Sequence, residues 1–358
     1  MTGGGFTLVE GGKTLRLSDI PVRGGRVDVA AAGVAGVIGA LEAGHAWLVR
    51  DPAGEPVPAG EDGIGLQTSG TTGKPKWAVT TRDRLMDGIK PGDEPARWLL
   101  TFNPGSFAGV NVILSALAGG HVLIAPSYGA SVADMAELAL NEGATHISGT
   151  PTFWRAFLMA LGDRPLTLKS VTLGGEAADQ AILDALRVRF PGAALRHIYA
   201  TTELGRIFSV GDGRAGFPAA WLGKRLGISE RGTLQVAGAD TGDVVEVAGD
   251  RVLFKGRVDA MVNVGGVKVF PETVEAHLLA LPEVQEARVA AKPNPITGHI
   301  LTADIVLKPF SGDDQAAIHD AIRAHLAALP RSHRPASIRY VDAIETGATG
   351  KKLRTRDR

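Results

Sequence analysis

Thr68-Ser69-Gly70-Thr71-Thr72-Gly73-Lys74-Pro75-Lys76 comes after a short apolar run, Ile64 to Leu66. Gly70 and Gly73 lack a Cβ and let backbone N–H groups come close to a phosphate. Ser69, Thr71 and Thr72 add hydroxyl donors, and Lys74 and Lys76 add positive charge. A mononucleotide P-loop is excluded. Gly70 and Gly73 are too close for G-x-x-x-x-G-K, and Pro75 stands where Ser or Thr belongs. A plain Gly/Ser/Thr/Lys surface loop has the same composition, so the remainder of the chain has to decide between the two.

Four further strings occur in order: Tyr199-Ala200-Thr201-Thr202-Glu203, Thr241-Gly242-Asp243, Gly256-Arg257-Val258-Asp259 with Gly265-Gly266-Val267-Lys268-Val269-Phe270-Pro271, and Gly350-Lys351-Lys352-Leu353-Arg354. Together with residues 68–76 they resemble, in sequence order, the motifs of the acyl-adenylate-forming superfamily: acyl-CoA synthetases, adenylation domains and luciferases. In its compactness the chain is similar to the o-succinylbenzoate–CoA ligases of that superfamily.

Length and composition bound the alternatives. The 358 residues suffice for two domains and a substantial core, and 44% hydrophobic with 21% charged residues is ordinary for a globular protein. Lys+Arg and Asp+Glu both number 38, so no net charge draws the chain to nucleic acid or an anionic membrane. The absence of cysteine excludes disulfides, thiolate metal sites and a Cys nucleophile. Residues 1–10 lack the basic start and apolar stretch of a secretory signal, which makes a cytoplasmic location the expectation. Val29 to Leu41 is Ala/Gly-rich and too short to span a bilayer, and reads as a packed helix.

Residues 144–200 alternate strand and helix: strand Ala144–Gly149, helix Pro151–Leu161, strand Ser170–Leu173, helix Ala178–Phe190 and strand Leu195–Tyr199. Ile182, Leu183, Leu186 and Phe190 carry the helical spacing. The alternation predicts a sheet with helices on its faces. It also places Gly174-Gly175 and Tyr199 at strand C-terminal ends, where open α/β sheets bind ligands. The last hundred residues change character. A hairpin is expected from Asp243–Val247 and Arg251–Phe254, turning at Gly249-Asp250. A helix from Pro271 to Leu281, strands Val284–Ala291 and Ile300–Leu307, and an amphipathic helix Asp313–Leu329 complete a small α+β unit. The expected organisation is an α/β N-terminal domain, residues 1–258, and a small mobile α+β C-terminal domain, residues 259–358.

The resemblance implies an AMP-forming acid–thiol ligase. A carboxylate attacks the α-phosphate of ATP to give acyl-AMP, and a thiol of CoA or of a carrier-protein phosphopantetheine then takes the acyl group. Attack of one anion on another needs charge neutralisation and alignment. Lys351 is the implied adenylation lysine, Thr202 the phosphate contact and Glu203 the Mg²⁺ ligand. Thr68, Ser69, Gly70, Thr71, Thr72, Gly73, Lys74 and Lys76 would hold the β- and γ-phosphates. Tyr199 would lie by adenine, with Gly175, Glu176 and Ala177 along the ring. Asp243 would accept from both ribose hydroxyls, with Arg257 nearby. Asp259 would be the hinge, and Gly265 and Gly266 would leave room for the pantetheine arm. A CoA groove would draw on basic residues of the small domain or on Arg82 and Arg84.

The departures bear on the substrate. The phosphate loop starts at residue 68, so much of the usual N-terminal subdomain is expected to be absent. Ala200 replaces the usual Gly at the floor of the acyl pocket. Trp77 stands where Gly is frequent, and residues 103–108 read Asn-Pro-Gly-Ser-Phe-Ala without the usual His or aromatic pair. With Phe102, Phe107 and Trp154 available to close a cavity, a small or narrow carboxylic acid is expected. Two other classes fit the motifs: a nucleotide-binding protein of this fold without ligase activity, and an adenylating enzyme that transfers to a non-thiol acceptor.

Overall fold

The computed structural model describes residues 5–58, 62–68, 76–90, 92, 94–201, 204–308 and 315–344. They group into two compact units, one within 5–176 and 184–213, the other within 177–183 and 214–344.

The first unit holds two sheets. The larger has eight strands in the order Gly205–Val210, Ala194–Thr201, Ser170–Gly174, His146–Gly149, Arg97–Leu99, Val122–Ala125, Thr7–Glu10, Lys13–Arg16. Its inner strands run parallel, and each edge is closed by an antiparallel partner. Helices Phe107–Ala118, Val132–Asn141, Pro151–Leu161 and Gln180–Arg189 connect successive parallel strands. This is the expected strand–helix alternation. Helix Pro151–Leu161 starts and stops where its sequence directs. Thr150 accepts from Phe153 N at 3.0 Å, Pro151 needs no donor in the first turn, and Gly162 ends the helix.

The smaller sheet runs Gly25–Asp28, Ala46–Val49, Ile64–Thr68, Lys76–Thr80, with the first three strands parallel and the last antiparallel. Leu8 of the larger sheet, Leu48, Ile64 and Leu66 of the smaller, Val37, Ile38 and Leu41 of helix Val29–Ala43 and Ile113 and Leu114 of helix Phe107–Ala118 form one buried cluster. The packed helix expected at 29–41 is therefore present, but it is broken. Gly33 has φ +65°, and the carboxylate of Glu10 accepts from Val34 N at 2.7 Å and Ala35 N at 3.2 Å. Glu10 thus caps a second helical start that the Ala/Gly-rich sequence conceals.

The second unit holds a five-stranded antiparallel sheet, Phe217–Pro218, Arg251–Arg257, Ala239–Ala248, Thr233–Val236, Leu226–Ile228. The expected hairpin is its centre, with Val247 opposite Val252 and Ala248 opposite Arg251. The other sheet joins Val267–Val269, Val262–Val264, Gly298–Leu307 and Val284–Asn294, with Ser337–Tyr340 parallel to Gly298–Leu307. Helices Pro271–Leu279 and Gln315–Leu326 cover it through Val274, Leu278, Ile322 and Leu326, which are buried with Val289, Leu301, Ala303 and Ile305. The chain is mixed α/β, a large N-terminal α/β part followed by a small α+β part.

Candidate functional site

In the first unit, strand Ile64–Thr68 pairs with Lys76–Thr80 so that Thr68 faces Lys76, and the Thr68 hydroxyl donates to the Lys76 carbonyl at 3.3 Å. The two ends of the glycine-rich string therefore meet at a hairpin base. Ser69, Gly70, Thr71, Thr72, Gly73 and Lys74 lie outside the described residues.

Tyr199 sits near the C-terminal end of strand Ala194–Thr201, where a β-bulge separates Tyr199 from Ala200. Its ring stacks on Phe208 of the antiparallel neighbour, centroids 5.2 Å apart and planes 28° apart. Phe208 thus holds the orientation of Tyr199. The Thr201 hydroxyl accepts from Leu204 N at 3.0 Å and turns the chain back. Thr202 and Glu203, the expected phosphate and metal contacts, lie outside the described residues.

Gly175 follows strand Ser170–Gly174 with φ +81°, a conformation that a side chain would strain. The next residue, Glu176, is committed to structure. Its carboxylate accepts from Thr152 N at 3.1 Å and from the Thr152 hydroxyl at 2.8 Å. The charge rests at the positive end of helix Pro151–Leu161. What residues 175–177 can offer a planar ring is therefore mainly backbone. Trp154, considered for the acyl pocket, is fully buried, and its Nε1 donates to the Thr172 carbonyl at 2.9 Å. It packs edge-on to Phe157 and Phe190 and is a core residue. Phe102 is buried in the cluster between the two sheets, and Phe107 packs partly buried against it. Arg82 forms an ion pair with Glu42.

In the second unit, Asp243 lies on strand Ala239–Ala248 directly opposite Arg257. The start of the same strand, which presents it, is tightly bonded. The Asp240 carboxylate accepts from Gly242 N at 2.8 Å and from the Thr233 hydroxyl at 2.8 Å, and the Thr241 hydroxyl donates to the Leu234 carbonyl at 2.8 Å. The bond from Gly242 N, then that from Thr233, holds the Asp240 carboxyl below its ordinary value. Sequence reading missed Asp240, although Asp-x-Gly is a turn signature in which the carboxylate accepts the N–H two residues on. Arg257 donates from Nη1 to Asp243 Oδ1 at 3.3 Å, and from Nε and Nη2 to the Asp259 carboxylate at 3.1 and 3.4 Å. One guanidinium therefore joins the expected ribose carboxylate to the expected hinge residue.

Gly265 and Gly266, with φ +58° and +87°, make the two-residue turn between Val262–Val264 and Val267–Val269. Gly265 N donates to the Thr297 carbonyl at 2.9 Å, and Gly266 N to Asn263 Oδ1 at 2.8 Å. Ala177 begins the short stretch grouped with the second unit, and Lys351 lies outside the described residues. Among the described residues there is no group of three or more His, Asp or Glu that could hold a metal ion, and no helix long and apolar enough to cross a membrane.

Two family models match the chain, AMP-binding enzyme over residues 64–249 and AMP-binding enzyme C-terminal domain over residues 273–351. A probable non-canonical nonribosomal peptide synthetase, CymA, of Salinispora arenicola is 28% identical over 357 residues, covering 85% of this chain and 4% of that protein. The chain thus spans only a small part of that relative's length. The 2-succinylbenzoate–CoA ligase of Geobacillus kaustophilus is 27% identical over 340 residues, 81% of this chain and 67% of the ligase. Among solved structures, the amide bond synthetase McbA of Marinactinospora thermotolerans superposes with a TM-score of 0.67 at 17% identity, covering 98% of this chain and 96% of that one. That likeness shows the fold alone.

Proposed function

The chain belongs to the AMP-binding enzyme family, and from that premise we propose that it is an ATP-dependent acid–thiol ligase. It adenylates a small carboxylic acid and passes the acyl group to CoA or to a carrier-protein pantetheine. What carries the proposal is the reach of the family match over both parts of the chain. Thr68, Tyr199 and Asp243 fall within the first match, and Lys351 is the last residue of the second.

In this reading Tyr199, already stacked on Phe208, lines the adenine site, with the 175–177 backbone along the ring. Asp243, presented by the Asp240–Gly242 segment of its strand, takes the ribose hydroxyls. The 68–76 string would hold the outer phosphates, Glu203 would hold a Mg²⁺ whose positive charge offsets theirs, and Lys351 would lie between the carboxylate and the α-phosphate. Adenylation is thus charge neutralisation and alignment, with no strong base required. The division into residues 1–258 and 259–358, with Asp259 as hinge, belongs to the same proposal. So does the pantetheine arm passing Gly265-Gly266.

The test is pyrophosphate exchange with ATP, Mg²⁺ and a broad panel of carboxylic acids, followed by product analysis with CoA. Acid-dependent exchange and a thioester are expected. No exchange with any acid would overturn the ligase reading; exchange without a thioester but with an amide from an added amine would overturn the thiol acceptor. Among acids, kcat/KM should favour short or aromatic acids over C12–C16 chains. An overfilled pocket excludes a ligand outright, whereas a missing methylene costs only about 1–3 kcal/mol.

A further inference from the structure

The base of the hairpin that carries the glycine-rich string is held by side chains that the proposed chemistry has not used. The backbone ladder between strands Ala46–Val49 and Ile64–Thr68 ends at the pair Leu48–Leu66. Beyond it, Gln67 takes over with its side chain. Its Oε1 accepts from Arg50 N at 2.7 Å and Asp51 N at 2.9 Å, and its Nε2 donates to the Asp51 carbonyl at 3.0 Å. Arg50 returns the exchange, donating from Nη2 to the Gln67 carbonyl. The antiparallel arm is tied to the same stretch of chain. Trp77, facing Gln67 across the hairpin, donates from Nε1 to the carbonyls of Glu55 and Pro56 at 3.0 and 3.1 Å.

The brace has a cost, which marks it as more than filler. Gln67 is almost fully buried. Arg50 Nε is buried without a partner, and no carboxylate among the described residues lies within ion-pair distance of the Arg50 guanidinium. Burial pushes its pKa below the ordinary arginine value, against weaker opposing effects of Tyr128 and Asp51. A partly buried cation with no carboxylate in ion-pair contact is expensive. A chain that needed only to close a strand could do so with an apolar residue.

Resting on the ligase reading above, we infer that the reciprocal Arg50–Gln67 brace positions the phosphate loop for ATP, with Arg50 a positioning residue of the adenylation step. Thr68, the first residue of the string, follows Gln67 directly, so the brace fixes where the loop leaves the sheet.

The test compares Arg50→Met, which keeps the stem and deletes the fork, with Arg50→Lys, which restores one charged donor. In pyrophosphate exchange, the KM for ATP should rise about tenfold in Arg50→Met, the scale of one lost charge-assisted hydrogen bond. The KM for the acid, and thioester formation from supplied acyl-adenylate, should stay within about twofold of wild type, since only a loop-specific role predicts a step-specific effect. Arg50→Lys should recover part of the loss. Equal loss in both half-reactions, or an unchanged ATP KM, overturns the inference. If Arg50→Met does not fold, the same measurements on Arg50→Lys decide it. If the wild-type protein exchanges with no acid, the ligase reading fails by itself. Amide hydrogen exchange at Thr68 and Lys76–Trp77 then reads the brace: faster exchange in the variant supports it, and unchanged exchange overturns it.

Discussion

Gly65→Ala is a perturbation whose cost comes from one contact. A Cβ on Gly65 would lie 2.1 Å from Trp47 Cε3, 2.4 Å from Cζ3 and 2.9 Å from Cδ2. Nonbonded carbons sit at about 3.5–4.0 Å, so the indole would have to retreat by more than an ångström. It has little room. Trp47 is 9% exposed, and its ring meets Trp77 edge-on at a centroid distance of 5.1 Å. Overpacking of this kind typically costs about 1–3 kcal/mol, and a rigid ring places the substitution at the upper end. Urea unfolding followed by tryptophan fluorescence should show a lower midpoint at unchanged slope. Trp47→Leu should absorb the added methyl, so the double variant should be at least about 1 kcal/mol more stable than the sum of the single losses, as expected for residues in contact. A Gly65→Ala protein within about 0.5 kcal/mol of wild type, or strict additivity in the cycle, would refute the close-approach argument.

Further outcomes are expected from the site. Lys351→Ala should slow acyl-adenylate formation about a hundredfold or more, the scale for removing a preorganised charge at a transition state; thioester formation from supplied acyl-AMP should largely survive, and equal loss in both steps would remove Lys351 from the first. Asp243→Ala should raise the KM for ATP about tenfold or more through lost ribose hydrogen bonds and should abolish discrimination between ATP and 2′-deoxy-ATP; a variant that still discriminates would place the ribose elsewhere. His146, whose ring lies tilted against Trp98 with centroids 4.8 Å apart, has its pKa lowered to about 4, first by burial and then by the charges of His121 and Lys169, with Glu94 opposing. Its neutral form is favoured in the fold, so its contribution is fully present above the ordinary value near 6.5 and is lost as pH falls from there towards about 4. His146→Phe should flatten that part of the stability–pH curve measured by urea unfolding, and an unchanged slope would refute the assignment.

The fold was legible where it rests on periodicity and punctuation. Helix Pro151–Leu161 matches its expected limits because Thr150, Pro151 and Gly162 mark both ends. The apolar spacing of Ile182, Leu183 and Leu186 placed a helix observed at Gln180–Arg189, and Gly249-Asp250 placed the hairpin turn. Periodicity failed at 29–43. There a glycine with positive φ and a carboxylate from a distant strand restart the helix, and neither alters the apolar pattern.

The site was legible only as strings, because a string shows which residues stand near one another in sequence and not what their side chains are already doing. Glu176 is expected along the adenine ring and its carboxylate proves to be a helix cap; Asp243 is expected to take the ribose, and Asp240 bonds the strand segment that presents it. Gln67 directly follows the apolar run Ile64 to Leu66, yet its amide replaces a strand pair with residues sixteen and seventeen positions away. Such side-chain-to-backbone bonds have no repeat and no fixed spacing, so nothing in the order of residues announces them. Those of Gln67 nevertheless hold the strand up to Thr68, the first residue of the glycine-rich string. A motif therefore specifies the chemistry a loop can perform, and the residues bracing its ends determine whether its donors are held where a phosphate can use them.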